Sequence, residues 1–258
     1  MFPRRRQTDT AIGIELRTDA AYLAFVRIDD HTVVGLGRAT YQPGTVVGGA
    51  VRRSAAVVEA IDGLLDQVRW PTPPAVAVVA PPVEDAGGDG TVSAPIIDQG
   101  PAGTATASAR HVDLAVDAIG RTRTATTTVD ALPVAAARFA AEAEPSLPVV
   151  FARGGGDGAV WLATAGPLGI EIDLDHEDGL DAVITGPDPS RLTPPAWGCV
   201  NVVSKVRRAY PHPGRYVPAV GAAFAATGRG PRVNLAGPQA IRRSGQGVEH
   251  RWGVEVVR

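Results

Sequence analysis

Tyr216-Val217-Pro218-Ala219-Val220-Gly221-Ala222-Ala223-Phe224-Ala225-Ala226 reads as a helix entered through proline and filled with small residues. Proline suits a first helical turn, because the amide it lacks would have no partner there. A short extended segment, Arg232-Val233-Asn234-Leu235-Ala236, follows. A helix and a strand stub cannot make a sheet. The elements upstream must supply it, and their order decides the fold.

Residues 11–16 are a short apolar run with a glycine inside it, and 21–28 (AYLAFVRI) are rich in aromatic and β-branched residues. Both read as strands. Asp29-Asp30-His31 is a turn, and 32–40 reads as a third strand. Strands joined by so few residues run antiparallel, so the chain opens as a β-meander. Ser54 then precedes Val57, Val58, Ile61, Leu64, Leu65 and Val68, apolar residues at helical spacing. Trp70-Pro71 ends that helix. AVAVVA at 75–80 is a continuous apolar run, as in a strand covered on both faces. A strand, a helix and a strand imply a parallel crossover.

Residues 81–108 are rich in Gly, Ala, Pro, Asp and Thr and are expected to form a long, flexible loop. A helix at 110–120 stops at Gly120, a Thr-rich strand spans 124–129, and Asp130 is placed to cap a helix through Leu132, Ala135, Ala136, Phe139 and Ala140. A second meander begins near Pro148, turns at Gly154-Gly155-Gly156-Asp157-Gly158, and continues through 159–164 and 168–174. Shorter strands are expected at 181–185 and 198–203. No short repeat exists, yet the order of elements recurs after roughly half the chain.

Bulk properties restrict the function. The chain is 45% apolar and 20% charged with a net charge of -2, ordinary for a globular protein and without an electrostatic argument for nucleic acid. Cys199 stands alone, so neither an internal disulfide nor a thiolate metal site is available. The basic start, Met1 to Thr10, lacks a following apolar run and reads as a solvated tail rather than a signal peptide. Contact of its arginines with anionic lipid or a partner is the alternative. Nowhere do about 18 uninterrupted apolar residues occur, so no membrane span is expected.

Several phrases carry a family resemblance. They are Ala11-Ile12-Gly13-Ile14-Glu15-Leu16, the helix at 54–69 followed by Ala75-Val76-Ala77-Val78-Val79, Val129-Asp130-Ala131-Leu132-Pro133-Val134-Ala135-Ala136-Ala137-Arg138, and the final helix. In this order they resemble the actin-like ATPases, in particular the type IV pilus assembly PilM branch and its cell-division relative FtsA. The resemblance implies an α/β fold: a duplicated actin-like (ribonuclease H-like) architecture of two mixed β-sheets flanked by helices, here with the accessory subdomains trimmed. It divides the chain into a tail at 1–10, a first subdomain at 11–145, a second, shortened one at 146–230, and a C-terminal extension at 231–258.

The family holds ATP and Mg between its halves on three backbone loops, and this chain departs from each. The first loop, Asp-x-Gly in the family, is Glu15-Leu16-Arg17. Glycine is needed where amides approach a phosphate closely, so Arg17 either obstructs a phosphate or meets it as a counter-charge. The second is Ala152-Arg153-Gly154, which lacks the carboxylate that would hold a metal-bound water. The third is Thr185-Gly186-Pro187, where a second glycine has become proline. If nucleotide binds, Gly13, Glu15, Arg17, Arg153, Gly154, Gly155 and Gly186 line it. The six residues 175–180 leave no room for the subdomain that closes over it.

The implied role is a non-catalytic, cytoplasmic scaffold, without cofactor, for a protein or peptide of a pilus- or secretion-type envelope machine. The cytoplasmic segment of a membrane-anchored protein is one candidate, which would bring the chain to the inner face of the membrane; self-association stays open. The alternative is a working ATPase or small-molecule kinase using ATP and Mg, with Asp157 supplying the missing carboxylate. A chaperone-like relative of Hsp70 ranks last. In the pilus system the partner PilN carries an Asn-Leu-Leu-Pro type segment. Arg232-Val233-Asn234-Leu235-Ala236 is similar to it in cis, as an occupant of the chain's own groove or simply as an edge strand.

Other clusters have bland readings. Glu171, Asp173 and Asp175 alternate along one face but match no EF-hand, and a solvated edge explains them. The glycine run at 154–158 leads into a strand, so a hairpin turn is preferred to a phosphate cradle. His31, His111, His176, His212 and His250 lack metal spacing, and no Gly-x-Ser-x-Gly elbow is present. Lys205, Arg207, Arg208 and Tyr210 read as an exposed helix end.

Overall fold

The computed structural model describes residues 10–68, 74–79, 90–97, 103–124, 126–143, 150–156, 159–166, 169–173, 200–201, 216–228, 230–243 and 249–251. β1 (Thr10–Leu16), β2 (Ala20–Arg27) and β3 (Val33–Thr40) form the expected meander. Their registers run from Thr10↔Arg27 to Leu16↔Ala21 and from Ala20↔Thr40 to Val26↔Val33. A small hairpin, β4 (Val46–Val47) and β5 (Ala50–Val51), leads into α1 (Ser54–Val68). β6 (Pro74–Val79) then returns parallel to β1, with Ile12 opposite Ala75.

Before the next crossover the chain inserts β7 (Thr91–Pro95) and β8 (Thr104–Ser108), an antiparallel hairpin. The stretch 81–108, expected as a long loop, thus holds two strands among its described residues. Val92, Ala94, Ala105 and Ala107 alternate inward and are buried. Alanine is too small to announce such a strand in sequence. α2 (Ala109–Gly120) follows, capped by Ser108. β9 (Thr126–Ala131) then pairs parallel to β6.

The order across this sheet is β3-β2-β1-β6-β9. A meander at one side and parallel crossovers at the other is the arrangement of one actin-like half. The fold is a mixed α/β one of this kind. A short strand, β13 (Val200–Asn201), adds in parallel outside β3 at Gly35 and Leu36. The sequence had placed it in the second half; its tertiary partner lies in the first.

After α3 (Leu132–Ala143), the second meander is β10 (Val150–Gly156), β11 (Ala159–Gly166) and β12 (Gly169–Asp173). It is a separate antiparallel sheet in that order. The strand expected at 181–185 lies outside the described residues. α4 (Val217–Ala226) is the small-residue helix. The chain then continues to β14 (Ile241–Arg243) and β15 (Glu249–Arg251), which extend the inserted hairpin into a four-stranded sheet, β15-β14-β7-β8.

Register assigns the faces of the first sheet. Ile14, Leu23 and Gly37 lie in one row, and Gly37 faces Leu64 of α1. Gly13 points the opposite way, against Ala219 and Ala223 of α4. α4 in turn packs on α3, and α3 packs on the second sheet. The layers therefore run first sheet, α4, α3, second sheet. This explains why α4 lacks a polar stripe: Val217 to Phe224 are all buried, because both sides of the helix are covered.

Two glycines make these contacts possible. A Cβ on Gly13 would sit 1.8 Å from the Ala219 carbonyl oxygen, and one on Gly221 would sit 1.8 Å from that of Ala135. Strand, helix and helix thus touch backbone to backbone. The far end of α4 is tied to the first meander, where His31 Nδ1 lies 2.8 Å from Thr227 Oγ1. Thr227 already donates its one hydroxyl proton to the Phe224 carbonyl, so His31 Nδ1 is the donor.

Candidate functional site

In sheets of this kind, ligands bind at the carboxyl ends of the parallel strands. Here that end carries two buried carboxylates on the α4 face. Glu15 and Asp130 are the next-to-last residues of β1 and β9. Glu15↔Val78 and Val78↔Asp130 place them in one row across the sheet. Each is neutralised by an arginine of the same chain.

Arg17 follows Glu15 by two residues, on the same side of an extended chain. It makes a two-pronged pair, Nε to Oε1 at 2.8 Å and Nη2 to Oε2 at 3.0 Å. The Glu15 side chain is 5% exposed and that of Arg17 33%. Burial pushes the Glu15 carboxyl above its ordinary value, and the Arg17 charge offsets this without cancelling it.

The Arg17 guanidinium also lies over the Tyr22 ring, 5.2 Å from its centre, and Arg38 lies 5.8 Å from the same ring. Asp19 accepts hydrogen bonds from Tyr22 at 3.1 Å and Arg38 at 2.6 Å. Burial acts to raise its carboxyl, but these two bonds and the Arg38 charge prevail and lower it. The Tyr41 hydroxyl donates to the Arg17 carbonyl, and the Tyr216 ring meets Tyr22 edge-on at 5.3 Å. The β1–β2 turn is therefore held by side chains of the turn, of β2 and β3 and of the entry to α4. An internal ion pair stands where the sequence resemblance implied a phosphate loop.

The second pair lies deeper. Asp130 and Arg138 have side chains 0% exposed, joined at 2.6 Å between Nη1 and Oδ2. Arg138 also donates from Nη1 to the Gly221 carbonyl at 2.7 Å and from Nε to the Pro231 carbonyl at 2.6 Å. It thereby joins the end of β9, the middle of α4 and the start of the C-terminal segment. Asp130, expected to cap α3, serves this arginine instead. Burial pushes its carboxyl up, with the Arg138 charge acting against it.

The C-terminal segment lies in cis along the edge of β9. Asn234 Oδ1 accepts from the amides of Val129 (3.2 Å) and Ala236 (3.1 Å), and the Leu235 amide donates to the Val129 carbonyl at 2.8 Å. Arg232 exchanges both backbone hydrogen bonds with Ile97. Val233 and Leu235 are buried.

The sequence-derived site residues thus separate. Gly13 serves helix packing, and Glu15 and Arg17 neutralise each other. Arg153, Gly154 and Gly155 lie in β10, opposite Leu162, Trp161 and Val160 of β11. Their side-chain surroundings and Gly186 lie outside the described residues. Tyr22, Asp19, Arg38 and Tyr41, which complete the cluster around Arg17, carried no motif to mark them. Among the described residues, no group of three or more His, Cys, Asp or Glu could hold a metal ion. An open cavity of about 1060 Å³ between β3 and α1 adjoins the cluster around Arg17 through Arg38 and Tyr41 and is lined also by Arg53, Glu59 and Gln67 among others. It contains none of the expected site residues. No described helix is long and apolar enough to cross a membrane.

No protein-family model matches the chain, and no curated protein sequence matches it. Solved structures do resemble it. A chain of a PilM–PilN type IV pilus biogenesis complex aligns with a TM-score of 0.49 at 16% identity, over 66% of this chain and 62% of that one. The ethanolamine utilization protein EutJ from Carboxydothermus hydrogenoformans aligns with a TM-score of 0.35 at 14% identity, over 67% and 53%. A Bacteroides thetaiotaomicron protein with an actin-like ATPase fold and unknown function aligns with a TM-score of 0.37 at 6% identity, over 74% and 76%. The chain thus spans less than two thirds of the pilus-complex and EutJ chains. At such identities these are likenesses of backbone alone; the actin-like order of the first sheet stands on its own strand pairing.

Proposed function

We propose that this chain is a non-catalytic actin-like scaffold that binds a peptide or partner protein of a pilus- or secretion-type envelope assembly machine. The observation that carries the reading is the Glu15–Arg17 pair. A triphosphate approaching the end of β1 would have to displace an arginine held by two charge-assisted hydrogen bonds and an aromatic face. It would also meet a buried carboxylate there. The absence of the usual carboxylate at Ala152-Arg153-Gly154 agrees with this. Binding of an extended peptide is supported by the cis-docked Asn234-Leu235, since a strand edge that accepts the chain's own segment has the chemistry to accept another. The envelope setting, and a place on the cytoplasmic side of the membrane, come from the sequence resemblance.

A thermal-shift titration tests the non-catalytic half. A ligand at 100 times its dissociation constant adds about 2.7 kcal/mol to stability. The expected result is no shift with ATP-Mg, ADP or GTP. A shift with any of them, abolished by EDTA in the case of ATP-Mg, restores the ATPase or kinase reading. A pull-down from membrane extracts tests the other half, and failure to enrich an envelope protein over an unrelated bait counts against it.

A further inference from the structure

Residues 230–236 lie over a charge pair that is short of partners. Arg138 uses Nε and Nη1, yet its Nη2 finds no acceptor, and Asp130 Oδ1 finds no donor. Both atoms are shut off from water. A buried guanidinium edge and a buried carboxylate oxygen left bare raise the free energy of the closed arrangement relative to one that water can reach. The cover on this side is the C-terminal segment itself. Gly230, at φ +70°, lies so close to the Arg138 stem that a Cβ there would be 2.9 Å from Cγ. Pro231 follows, with its carbonyl on Nε.

Val233 and Leu235 are buried, Arg232 exchanges two backbone hydrogen bonds with Ile97, and the Pro231 carbonyl accepts from Arg138 Nε; the backbone meets β9 only at Val129, partly through a side chain that stands in for a strand's backbone. Apolar burial and these hydrogen bonds pull the segment shut, and the bare polar atoms beneath it push it open. We infer that residues 230–236 are a strap in equilibrium with a locally open form. Opening hydrates the Asp130–Arg138 pair and bares the β9 edge at Val129, while both sheets and the α3–α4 crossing stay folded. Opening needs no partner. Its consequence for the scaffold, control over when that edge is free, rests on the peptide-binding reading.

Hydrogen exchange of the full chain, followed by NMR with no partner added, tests the strap. The amides of Val129, Leu235 and Ala236 are expected to exchange at least about tenfold faster than the paired amides of β1 and β2. The Arg138 Nε–H should exchange at the strap's rate. Asn234→Ala should speed the strap amides by about another tenfold and leave β1 and β2 unchanged. The inference is overturned if strap and sheet amides exchange at one rate, if Arg138 Nε–H follows the sheet, or if Asn234→Ala accelerates all amides together. None of these outcomes depends on nucleotide or partner, so failure here is distinguishable from failure of the scaffold reading.

Discussion

Removing Arg138 tests a fully buried ion pair, Nη1 to Asp130 Oδ2 at 2.6 Å. Its side chain and that of Asp130 are fully buried, so solvent does not screen the pair. Arg138→Met keeps the volume and leaves Asp130 as an isolated buried charge, a change that costs about 3–5 kcal/mol. Asp130→Leu strands the guanidinium and should cost a similar amount. The double variant removes both charges. Gly221 keeps its place in the hydrogen-bond ladder of α4, so its carbonyl loses little. Pro231 loses its donor, at about 1–3 kcal/mol. The double variant should therefore be less stable than the parent by about that amount, no worse than either single change. Urea unfolding of the four proteins at neutral pH gives the comparison. Single substitutions that cost below about 1 kcal/mol, or a double variant whose loss is the sum of the singles, would refute a directly coupled buried pair.

Packing and titration give further tests. Gly13→Ala drives a methyl into the Ala219 carbonyl and should cost about 3 kcal/mol or more, whereas Gly37→Ala meets only the Leu64 Cδ2 end at 2.6 Å, which can rotate, and should cost about 1 kcal/mol. Urea midpoints that rank the two the other way would contradict the backbone contact between β1 and α4. Glu15 predicts a pH dependence. Its carboxyl binds a proton more tightly folded than unfolded, so its contribution is fully present below the ordinary value of 4.5 and is lost as pH rises through the raised folded value. Stability should thus rise as pH falls from neutral toward about 5, and Glu15→Gln should flatten that slope. Equal slopes for the two proteins, measured by urea midpoints at both pH values, would show that Glu15 is not the group responsible.

Much of the first half was legible. Aromatic and β-branched runs joined by Asp29-Asp30-His31 can only form an antiparallel meander, and Val57, Ile61, Leu64 and Leu65 fit only a helix. The Glu15–Arg17 pair was also within reach, since residues two apart on a strand share a face. The hairpin inside 81–108 was not, because its inward residues are mostly alanine. Nor was the Tyr22 cluster, whose members come from the β1–β2 turn, the third strand and the entry to α4.

By itself the sequence determined the opening meander, the first crossover and the placing of Glu15 and Arg17 on one side of the chain, since all are local: periodicity, turn chemistry and side-chain size act over a few residues. Tertiary structure alone decided which distant groups these residues meet. The Arg138 guanidinium meets a carbonyl 83 residues away, and the Val129 amide meets an asparagine 105 residues away. Such contacts follow from how two sheets and two crossing helices exclude water, and no spacing along the chain encodes them.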